Sequence, residues 1–507
     1  MVTKIITATN IGINAYKIEV EVDVVNSLPN IVIVGLPDSS VSEAKERVHS
    51  AIKNAGFTFP QGKVIINLAP ADIRKEGTNF DLPIAIGILK EEGLAIEESP
   101  NTAFLGELSL DGSLRKINGV LPLVLGLKEN GIKNIFVPEE NAKEAALVEN
   151  INVYGAKDLR EIVQHFEGTP ITVTKVDINQ YLVDNSKIDY EFDFKDVKGQ
   201  QKAKKALEIA AAGGHNVLMS GSPGSGKTMM AKCFASILPP LELKEALELT
   251  KIYSISGLLS SKEPLMTKRP YRAVHHTASP NGIIGGGTNP KPGEITLAHR
   301  GVLFLDEMVE FPRQVLEVLR QPMEDGEVVI SRAKTSIKYP CNFMLLGAMN
   351  PCPCGFLGDS HKQCTCTDVQ VQRYRSKLSG PLLDRIDIII NVPRLSTEEL
   401  TSIKTESETS KQIRERVVNA RKIQAKRYAN EDILTNSELN AEQIKKYCIL
   451  DEKSMEILKM AVQKYQLSGR KYNRVIKIAR TIADLSGSEN IKSEHLTQAL
   501  QYRGEGF

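Results

Sequence analysis

The sequence contains no tryptophan, and aromatic residues make up only 5% of its 507 positions. So few aromatic side chains argue against a surface on which nucleic-acid bases stack, but they leave open a mode of binding that follows the phosphate backbone. The net charge is only +2. The chain as a whole therefore indicates no charged partner, and any surface for nucleic acid has to be local.

Long apolar runs are absent as well. No segment approaches the ~18 consecutive apolar residues of a membrane span, and the opening MVTKIITATNIGINAYKIEVEV has the pattern of a strand rather than of a signal peptide. With 41% apolar and 25% charged residues, the composition is that of an ordinary globular protein. We expect a cytoplasmic protein without a membrane partner, and the length suggests about three domains.

Cysteine is scarce except in one place, because four of the seven cysteines lie between positions 352 and 366. Cys352 and Cys354 are separated from Cys364 and Cys366 by a loop that contains His361. Four thiolates predict a tetrahedral structural zinc site, and in a reducing compartment such crowding favours a metal over disulfides. The C-x-C spacing is tighter than usual for zinc, so a reactive dithiol or local disorder stays an alternative.

The most informative motif is GSPGSGKT at positions 221–228, which fits the phosphate-binding pattern G-x-x-x-x-G-K-[ST]. A strand pattern precedes it and a helical pattern follows, the context in which backbone N–H groups surround a phosphate at a helix N-terminus. We expect Lys227 to reach the β- and γ-phosphates and Thr228 to hold Mg²⁺. The predicted nucleotide ligands are Gly221, Ser222, Pro223, Gly224, Ser225, Gly226, Lys227 and Thr228.

Two further apolar strand patterns end in polar residues. Residues 301–305 precede Asp306, predicted beside Mg²⁺, and Glu307, predicted to polarise the attacking water. Residues 343–349 precede Asn350, a candidate to sense the γ-phosphate or to orient the attacking water. Taken singly, acids often end strands and asparagine is more often a turn residue. The phosphate loop upstream favours the catalytic interpretation, and the cysteine cluster after Asn350 is expected to brace a loop near the nucleotide.

Three arginines are candidates for stabilising negative charge. Arg385 lies in LLDRID at another strand entry, and an arginine supplied by a neighbouring subunit accelerates phosphoryl transfer by about 10³–10⁵. A local salt bridge to Asp384 or Asp387 is the alternative. Arg470 and Arg474 lie at the start of a helical pattern, which by spacing alone is an ordinary solvated helix start.

The motifs GSPGSGKT, GVLFLDE, AMNPCPCG, SGPLLDRIDI and SGRKYNRVIKIARTIADL resemble those of the ComM/YifB group of magnesium-chelatase-like AAA+ ATPases. HHTASPNGIIGGG and PKPGEITLAHRGVLFLDE resemble the same group, and the resemblance covers essentially the whole chain. It implies that Lys227 and Thr228 belong to the first ATP motif, and Asp306 and Glu307 to the second. It also implies a ring, a hexamer, with ATP and Mg²⁺ bound between subunits.

The resemblance implies roles for the remaining polar candidates as well. Asn350 is then the first sensor, and Arg385 is the arginine finger that acts on the neighbouring subunit. Arg470 is the second sensor in a helical lid, and Arg474 is a neighbour of that sensor.

Residue patterns and this resemblance together predict an α/β fold in several parts. Residues 1–168 are expected to form an α/β domain like domain 2 of ribosomal protein S5 and like the Lon-type proteases. Residues 169–193 are a predicted linker. Residues 194–395 are a predicted P-loop AAA+ α/β core that carries the cysteine cluster, and residues 396–507 a predicted α-helical lid.

The first domain resembles a protease domain, but we expect no peptidase chemistry from it. Asn79 stands where Lon-type proteases carry their nucleophilic serine, and an amide is no nucleophile. Thr78 lacks an evident paired base. Asp38 begins the metal-adhesion pattern D-x-S-x-S, but it stands at a predicted helix start, where aspartate is preferred as a cap.

Basic residues in a predicted hairpin are the candidates for binding DNA. Residues 327–339 have the pattern of two strands around a turn, and they include Arg332, Lys334 and Lys338. In the ring ATPases that the chain resembles, this hairpin projects into the central pore and grips DNA, and the glycine-rich segment 275–292 fits their second inserted loop. Without the resemblance, a plain surface hairpin is the favoured interpretation.

A second basic segment, residues 411–427, carries seven lysines and arginines and one acid. It predicts either a helix face that tracks phosphates or a solvated helix.

These features together predict an ATP-hydrolysing ring motor that acts on single-stranded or branched DNA. The resemblance implies a helicase or branch-migration factor in recombination and natural transformation. A protein-remodelling ATPase is the first alternative; aromatic residues in the pore would favour it, and the candidate pore segments offer only Tyr339. A metal-chelatase motor subunit is the second. A scaffold that binds ATP without hydrolysing it is disfavoured, because Asp306 and Glu307 are both present.

Overall fold

The computed structural model describes residues 2–94, 101–183, 190–287, 291–331, 336–359, 361–396 and 407–503. The chain divides into two compact units, one of Met1–Asn185 with Glu242–Thr267, the other of Ser186–Leu241 with Lys268–Phe507. Residues 242–267 lie in the range predicted as ATPase core, yet they belong to the first unit. Among the helices of the described residues, none is long and apolar enough to cross a membrane.

The strands described in the first unit are β1 (Thr3–Ile11), β2 (Asn14–Val25), β3 (Asn30–Val34), β4 (Lys63–Ala69), β5 (Thr102–Phe104), β6 (Glu107–Leu108), β7 (Leu114–Arg115), β8 (Asn134–Pro138), β9 (Asn152–Ala156) and β10 (Val173–Thr174). Eight of these described strands form one mixed sheet in the order β10-β9-β8-β5-β1-β2-β4-β3, and β6 pairs with β7. The strand predicted in the opening segment is confirmed, and in β2 the alternate residues Ile18, Val20 and Val22 are fully buried. β10 lies within the segment predicted as a linker and pairs with β9.

The helices described in the N-terminal segment are α1 (Ser39–Asn54), α2 (Asp81–Glu91), α3 (Val120–Glu129), α4 (Glu139–Ala145), α5 (Leu159–Phe166) and α6 (Ile178–Val183). The Asp38 side chain accepts a hydrogen bond from the Val41 backbone N–H at 2.8 Å, so the predicted capping role is confirmed. Val41, Val48 and Ile52 form the buried stripe of α1, as the helical spacing predicts.

The strands described in the second unit are β11 (Val217–Ser220), β12 (Tyr271–Val274), β13 (Gly285–Gly286), β14 (Lys291–Pro292), β15 (Val302–Leu305), β16 (Glu327–Ser331), β17 (Ser336–Pro340), β18 (Met344–Met349) and β19 (Ile388–Asn391). Five of these described strands form a parallel sheet in the order β12-β15-β18-β11-β19. Strands of such sheets are covered on both faces and are therefore continuously apolar. β16 and β17 form an antiparallel hairpin, as predicted for residues 327–339.

The remaining described helices are α7 (Gln201–Gly213), α8 (Lys227–Phe234), α9 (Leu243–Ile255), α10 (Pro280–Ile284), α11 (Glu294–Leu297), α12 (Arg313–Val318), α13 (Arg320–Asp325), α14 (Asp368–Arg375), α15 (Gly380–Leu383), α16 (Ser410–Arg427), α17 (Ala441–Tyr447), α18 (Glu452–Tyr465), α19 (Gly469–Leu485) and α20 (Ser493–Leu500). α9 belongs to the first unit, where Ser254 accepts the Gly119 N–H at 3.1 Å through its carbonyl and donates to Glu144 through its hydroxyl. Helices α16 to α20 form the C-terminal helical region, and their apolar residues join the core around α7 and the parallel sheet. The predicted fold class is confirmed.

Candidate nucleotide-hydrolysis site

The parallel sheet brings the polar strand ends to one edge. In the register of the sheet, Ser220 at the end of β11 stands beside Met349 at the end of β18, and Leu305 at the end of β15 stands beside Gly347. The residues that follow these strands are the phosphate loop, Asp306 and Asn350. Because all three strands run in the same direction, these residues lie along the same edge of the sheet, as predicted.

The phosphate loop, residues 221–228, has the backbone shape that its glycines allow. Gly224 and Gly226 have φ angles of +76° and +92°, a region that favours glycine. Gly226 is the residue that precedes α8. The loop therefore runs directly into a helix N-terminus, where unpaired backbone N–H groups and the helix dipole favour an anion such as phosphate.

Lys227 is buried inside this loop. Its ammonium group donates hydrogen bonds to the backbone carbonyls of Gly221, at 2.6 Å, and Ser222, at 3.0 Å. Burial lowers the pKa of Lys227, while the nearby carboxylates of Asp306 and Glu307 act in the opposite direction. A compact cation thus stands among the loop carbonyls, in reach of the two acids.

The side chains of Thr228 and Asp306 are joined by a hydrogen bond. The Thr228 hydroxyl donates to Asp306 Oδ2 at 2.8 Å, and Asp306 Oδ1 accepts the Glu307 backbone N–H at 2.9 Å. A hydroxyl and a carboxylate side by side are the hard oxygen ligands that Mg²⁺ takes together with phosphate oxygens. The donor set fits the predicted Mg²⁺ site.

Glu307 turns away from the strand that precedes it. Its φ is +49°, a left-handed conformation that is uncommon for residues other than glycine. Its side chain is 58% exposed, and Oε2 lies 3.8 Å from Nδ1 of His276. His276 lies in the motif HHTASPNGIIGGG, but the motif did not assign it a role. The register could have done so, because Val274 at the end of β12 stands beside Leu305.

The arginines occupy different surroundings. Arg385 forms an ion pair with Glu324 and donates to the Pro381 carbonyl at 2.8 Å. Its acidic partner is therefore a residue of α13 and not Asp384 or Asp387, the partners of the alternative interpretation. Arg474 on α19 is buried and donates to the Leu383 carbonyl at 3.1 Å. Burial lowers the pKa of Arg474.

Arg470 lies in the first turn of α19, where it is exposed. Arg470 and Arg474 are the two arginines predicted around the second sensor. Of these, Arg474 contacts the segment that contains Arg385, through its hydrogen bond to the Leu383 carbonyl.

The four cysteines converge in space. Their sulfur atoms all lie within 4.8 Å of one another, with separations of 3.4 Å between Cys352 and Cys354, 3.6 Å between Cys352 and Cys364, and 3.5 Å between Cys354 and Cys364. A tetrahedron with Zn–S bonds of about 2.3 Å places its sulfurs about 3.8 Å apart, whereas a disulfide needs about 2.05 Å. The arrangement, completed by Cys366, therefore fits a tetrahedral metal site better than it fits disulfides.

Of the three basic residues predicted to bind DNA, the structure describes Lys338. Arg332 and Lys334 lie outside the described residues. Lys338 on β17 is exposed, and its ammonium group donates to Glu327 Oε1 at 2.9 Å. The hairpin thus contains an acid at its base that pairs with Lys338.

The second basic segment, α16, packs against its own unit. Arg416 pairs with Glu208 at 2.5 Å and with Glu408 at 2.8 Å, and Arg421 donates to the Ala211 carbonyl at 2.9 Å. The interpretation of α16 as an open, phosphate-tracking face is wrong for these arginines, because their guanidinium groups hold the helix against α7.

In the first unit, Asn79 is a structural residue. Its amide donates to the Ala8 carbonyl at 2.8 Å from a buried position. The neighbouring Thr78 hydroxyl donates to Glu107.

Comparison with known proteins adds independent observations. Family models described as "Magnesium chelatase, subunit ChlI", "Subunit ChlI of Mg-chelatase" and "Magnesium chelatase, subunit ChlI C-terminal" match residues 193–400, 20–141 and 407–503. The chain is 42% identical to the competence protein ComM of Haemophilus influenzae, over 97% of this chain and 96% of that protein. It is 40% identical to the uncharacterized protein YifB of Salmonella typhimurium, over 98% and 96%. A magnesium-chelatase subunit ChlI homolog of Methanocaldococcus jannaschii is 24% identical, over 62% and 84%.

Proposed function

Because the chain belongs to the ComM/YifB family of magnesium-chelatase-like AAA+ ATPases, we propose that it is an ATP-hydrolysing ring motor that acts on DNA. The observation that carries the ATPase part is the bond between Thr228 and Asp306 at 2.8 Å, next to Glu307. It joins the two ATP motifs at one edge of the parallel sheet. A scaffold that only binds nucleotide would have no need for Glu307 beside this pairing.

The residues of this edge divide the work of phosphoryl transfer. Lys227 neutralises charge on the β- and γ-phosphates, and the N–H groups at the start of α8 hold the phosphate oxygens. Thr228 and Asp306 would hold Mg²⁺, which when bound neutralises charge that develops on the phosphates. Glu307 accepts the proton of the attacking water or orients it, and its exposed side chain leaves room for that water. Asn350 contacts the γ-phosphate.

Arg385 acts on the site of a neighbouring subunit. Within its own subunit it is held by Glu324 and the Pro381 carbonyl, which keeps the guanidinium group ordered. The proposal requires an oligomeric ring, a hexamer, in which Arg385 and Arg470 supply positive charge to the ATP between subunits. An arginine finger of this kind contributes about 10³–10⁵ in rate.

DNA is the proposed substrate of the motor, and branch migration or unwinding the proposed activity. Similarity to a protein named for competence supports a role in handling transforming DNA. The hairpin of β16 and β17 supports a contact with the phosphate backbone, because Lys338 is exposed on it. Arg332 and Lys334 are proposed to extend that contact.

The cysteine cluster is proposed to hold one Zn²⁺ ion. Four thiolates at near-tetrahedral separations support a closed structural site, since no coordination position is left for a substrate. The ion would fix the loop that follows Asn350 rather than take part in hydrolysis.

Steady-state ATP hydrolysis tests the motor function. Turnover is measured without DNA, with single-stranded DNA and with a branched duplex, each across a salt series. We expect stimulation by DNA that weakens as salt rises, because each phosphate contact releases counterions. Robust hydrolysis that no DNA alters would contradict the DNA assignment and favour a protein-remodelling ATPase.

A further inference from the structure

The cysteine loop, residues 352–366, packs against the phosphate loop. The structure describes all of its residues except position 360. Gly355 has a φ of +85°, and a Cβ atom at this position would lie only 2.7 Å from Cδ of Pro223. The backbone of the cysteine loop therefore approaches Pro223 so closely that any side chain larger than hydrogen would displace it.

A second feature of the cysteine loop is the carboxylate of Asp359. Asp359 Oδ1 accepts the backbone N–H groups of His361, at 2.8 Å, and Lys362, at 3.0 Å, so this carboxylate organises its own loop. The other carboxylate oxygen of Asp359, Oδ2, is buried without a hydrogen-bond partner among the described residues. Pro223, which Gly355 approaches, directly follows Ser222 in the chain, and the Ser222 carbonyl accepts a hydrogen bond from the Lys227 ammonium group at 3.0 Å. A short chain of contacts thus leads from the cysteine loop to the lysine that binds phosphate.

The far end of the cysteine loop is tied to the sensor strand. α14 follows the loop, and its Arg375 donates to the Pro351 carbonyl at 3.3 Å. Pro351 separates Asn350 from Cys352. The loop is therefore anchored beside Asn350 at both of its ends.

Apart from the Asp359 hydrogen bonds and a contact of the Lys362 ammonium group with the Phe356 ring, the described part of the loop has no regular structure to hold its shape. Its described residues form no helix or strand between β18 and α14, and Pro353, Leu357 and Gly358 are exposed. Ordering such a backbone costs about 1–2 kcal/mol per residue. Metal–thiolate bonds supply folding free energy to small sites that lack an apolar core.

We propose that Zn²⁺ bound by Cys352, Cys354, Cys364 and Cys366 braces the phosphate loop, so that loading of this site sets the affinity for ATP. The inference rests on the proposed nucleotide-binding role of residues 221–228. Loss of the metal releases Gly355 from Pro223. The phosphate loop then samples shapes in which Lys227 and the loop N–H groups no longer converge.

The test uses the full chain with two readouts, zinc content by elemental analysis and the Kd for a fluorescent ATP analogue in the presence of Mg²⁺. We expect about one zinc ion per chain, and removal by a zinc-selective chelator should raise the Kd several-fold. Adding zinc back should restore the original Kd. Zinc-free protein as purified, or an unchanged Kd after removal, would overturn the proposal.

Two variants in the cysteine loop distinguish a specific effect on the phosphate loop from a general loss of folding. Asp359→Asn should keep zinc but raise the Kd several-fold, because it weakens the hydrogen bonds that Asp359 accepts from the His361 and Lys362 backbone N–H groups and leaves the cysteines intact. His361→Gln is the matched control and should change neither quantity, since its ring lies outside the cysteine cluster. An Asp359→Asn protein with an unchanged Kd would contradict the proposal that the cysteine loop stabilises the phosphate loop. Zinc-loaded wild type that binds no ATP analogue would instead refute the proposed ATPase function.

Discussion

The Thr228 hydroxyl donates a 2.8 Å hydrogen bond to Asp306 Oδ2, across the edge of a parallel sheet and between residues that are far apart in sequence. Both side chains are oxygen ligands of the type that Mg²⁺ prefers. The hydrogen bond holds the two oxygen atoms close enough together for one cation to bind both of them in place of the shared proton. It is the reason to treat the two motifs as one site.

Removal of the Thr228 hydroxyl should weaken the use of Mg²⁺. We expect Thr228→Ala to raise the Mg²⁺ concentration for half-maximal ATP turnover by about tenfold or more. Thr228→Ser keeps the hydroxyl and should restore the wild-type value. The measurement is turnover as a function of Mg²⁺ at fixed ATP. Equal Mg²⁺ dependence in the alanine and serine variants would count against the proposed site.

Glu307 should be needed for turnover and not for binding. Glu307→Gln removes the carboxylate that accepts a proton or orients water, and we expect ATP turnover to fall by about 10²–10⁴ with the Kd for ATP little changed. Glu310→Gln is the matched control, because Glu310 is a nearby exposed acid that pairs with Lys377 at 3.3 Å. A Glu307→Gln protein with wild-type turnover would exclude Glu307 as the residue that activates water.

Arg385 should act on the neighbouring subunit. Arg385→Ala is expected to lose turnover by about 10³-fold or more, whereas Glu324→Gln removes its ion-pair partner and keeps the guanidinium group, so turnover should persist. Mixing Arg385→Ala with Lys227→Ala subunits should regain activity, because some interfaces then combine an intact phosphate loop with an intact arginine. Normal hydrolysis by Arg385→Ala in an assembled ring would show that the assignment is wrong.

Local patterns in the sequence predicted much of this site. The strand, loop and helix around residues 221–228, and the strands before Asp306 and Asn350, are each legible from a few consecutive residues. Their convergence follows from one rule, that parallel strands end at the same edge. The hairpin of β16 and β17 could also be predicted, because the alternation of its strands and the residues of its turn are local features of the sequence.

What the sequence could not provide are the partners that tertiary packing chooses. The pairing of Arg385 with Glu324 joins α13 to the entry of β19, and no spacing rule links these positions. α9 reads as an ordinary helix, and only contacts such as that of Ser254 with Glu144 assign it to the first unit. Arg416 lies in a basic segment, yet its charge is taken up by Glu208 and Glu408.

Asp81 should make the stability of the first unit depend on pH. Arg47 donates to both of its carboxylate oxygens, at 2.8 and 3.0 Å, but burial outweighs this and raises the pKa of Asp81 to about 6 from 3.8. The folded state therefore binds the proton more tightly than the unfolded state. The resulting stability is fully present below about pH 4 and is lost as the pH rises toward about 6.

The size of this term is about 3 kcal/mol, since one pKa unit corresponds to ~1.4 kcal/mol. Asp81→Asn should flatten that part of the pH profile, followed by hydrogen exchange of the α2 backbone amides between pH 4 and pH 7. Glu43→Gln is the control, because Glu43 is an exposed partner of Arg47 at 3.8 Å. An Asp81→Asn protein whose profile keeps the wild-type slope would contradict the assignment.

Lys338 and Arg416 should differ in their effect on DNA, although both are basic residues paired with acids. Lys338 is exposed on the hairpin, and its pair with Glu327 is open to solvent, so phosphate can displace the carboxylate at little cost. Lys338→Ala should weaken DNA binding for all sequences alike and reduce the slope of log Kd against log salt by about 1.

Arg416 is committed to Glu208 and Glu408. Arg416→Ala should therefore lower the thermal stability of the second unit and leave the salt slope for DNA unchanged. Fluorescence anisotropy with labelled single-stranded DNA across a salt series measures both slopes, and equal slopes for Lys338→Ala and wild type would remove the hairpin lysine from the DNA-binding surface.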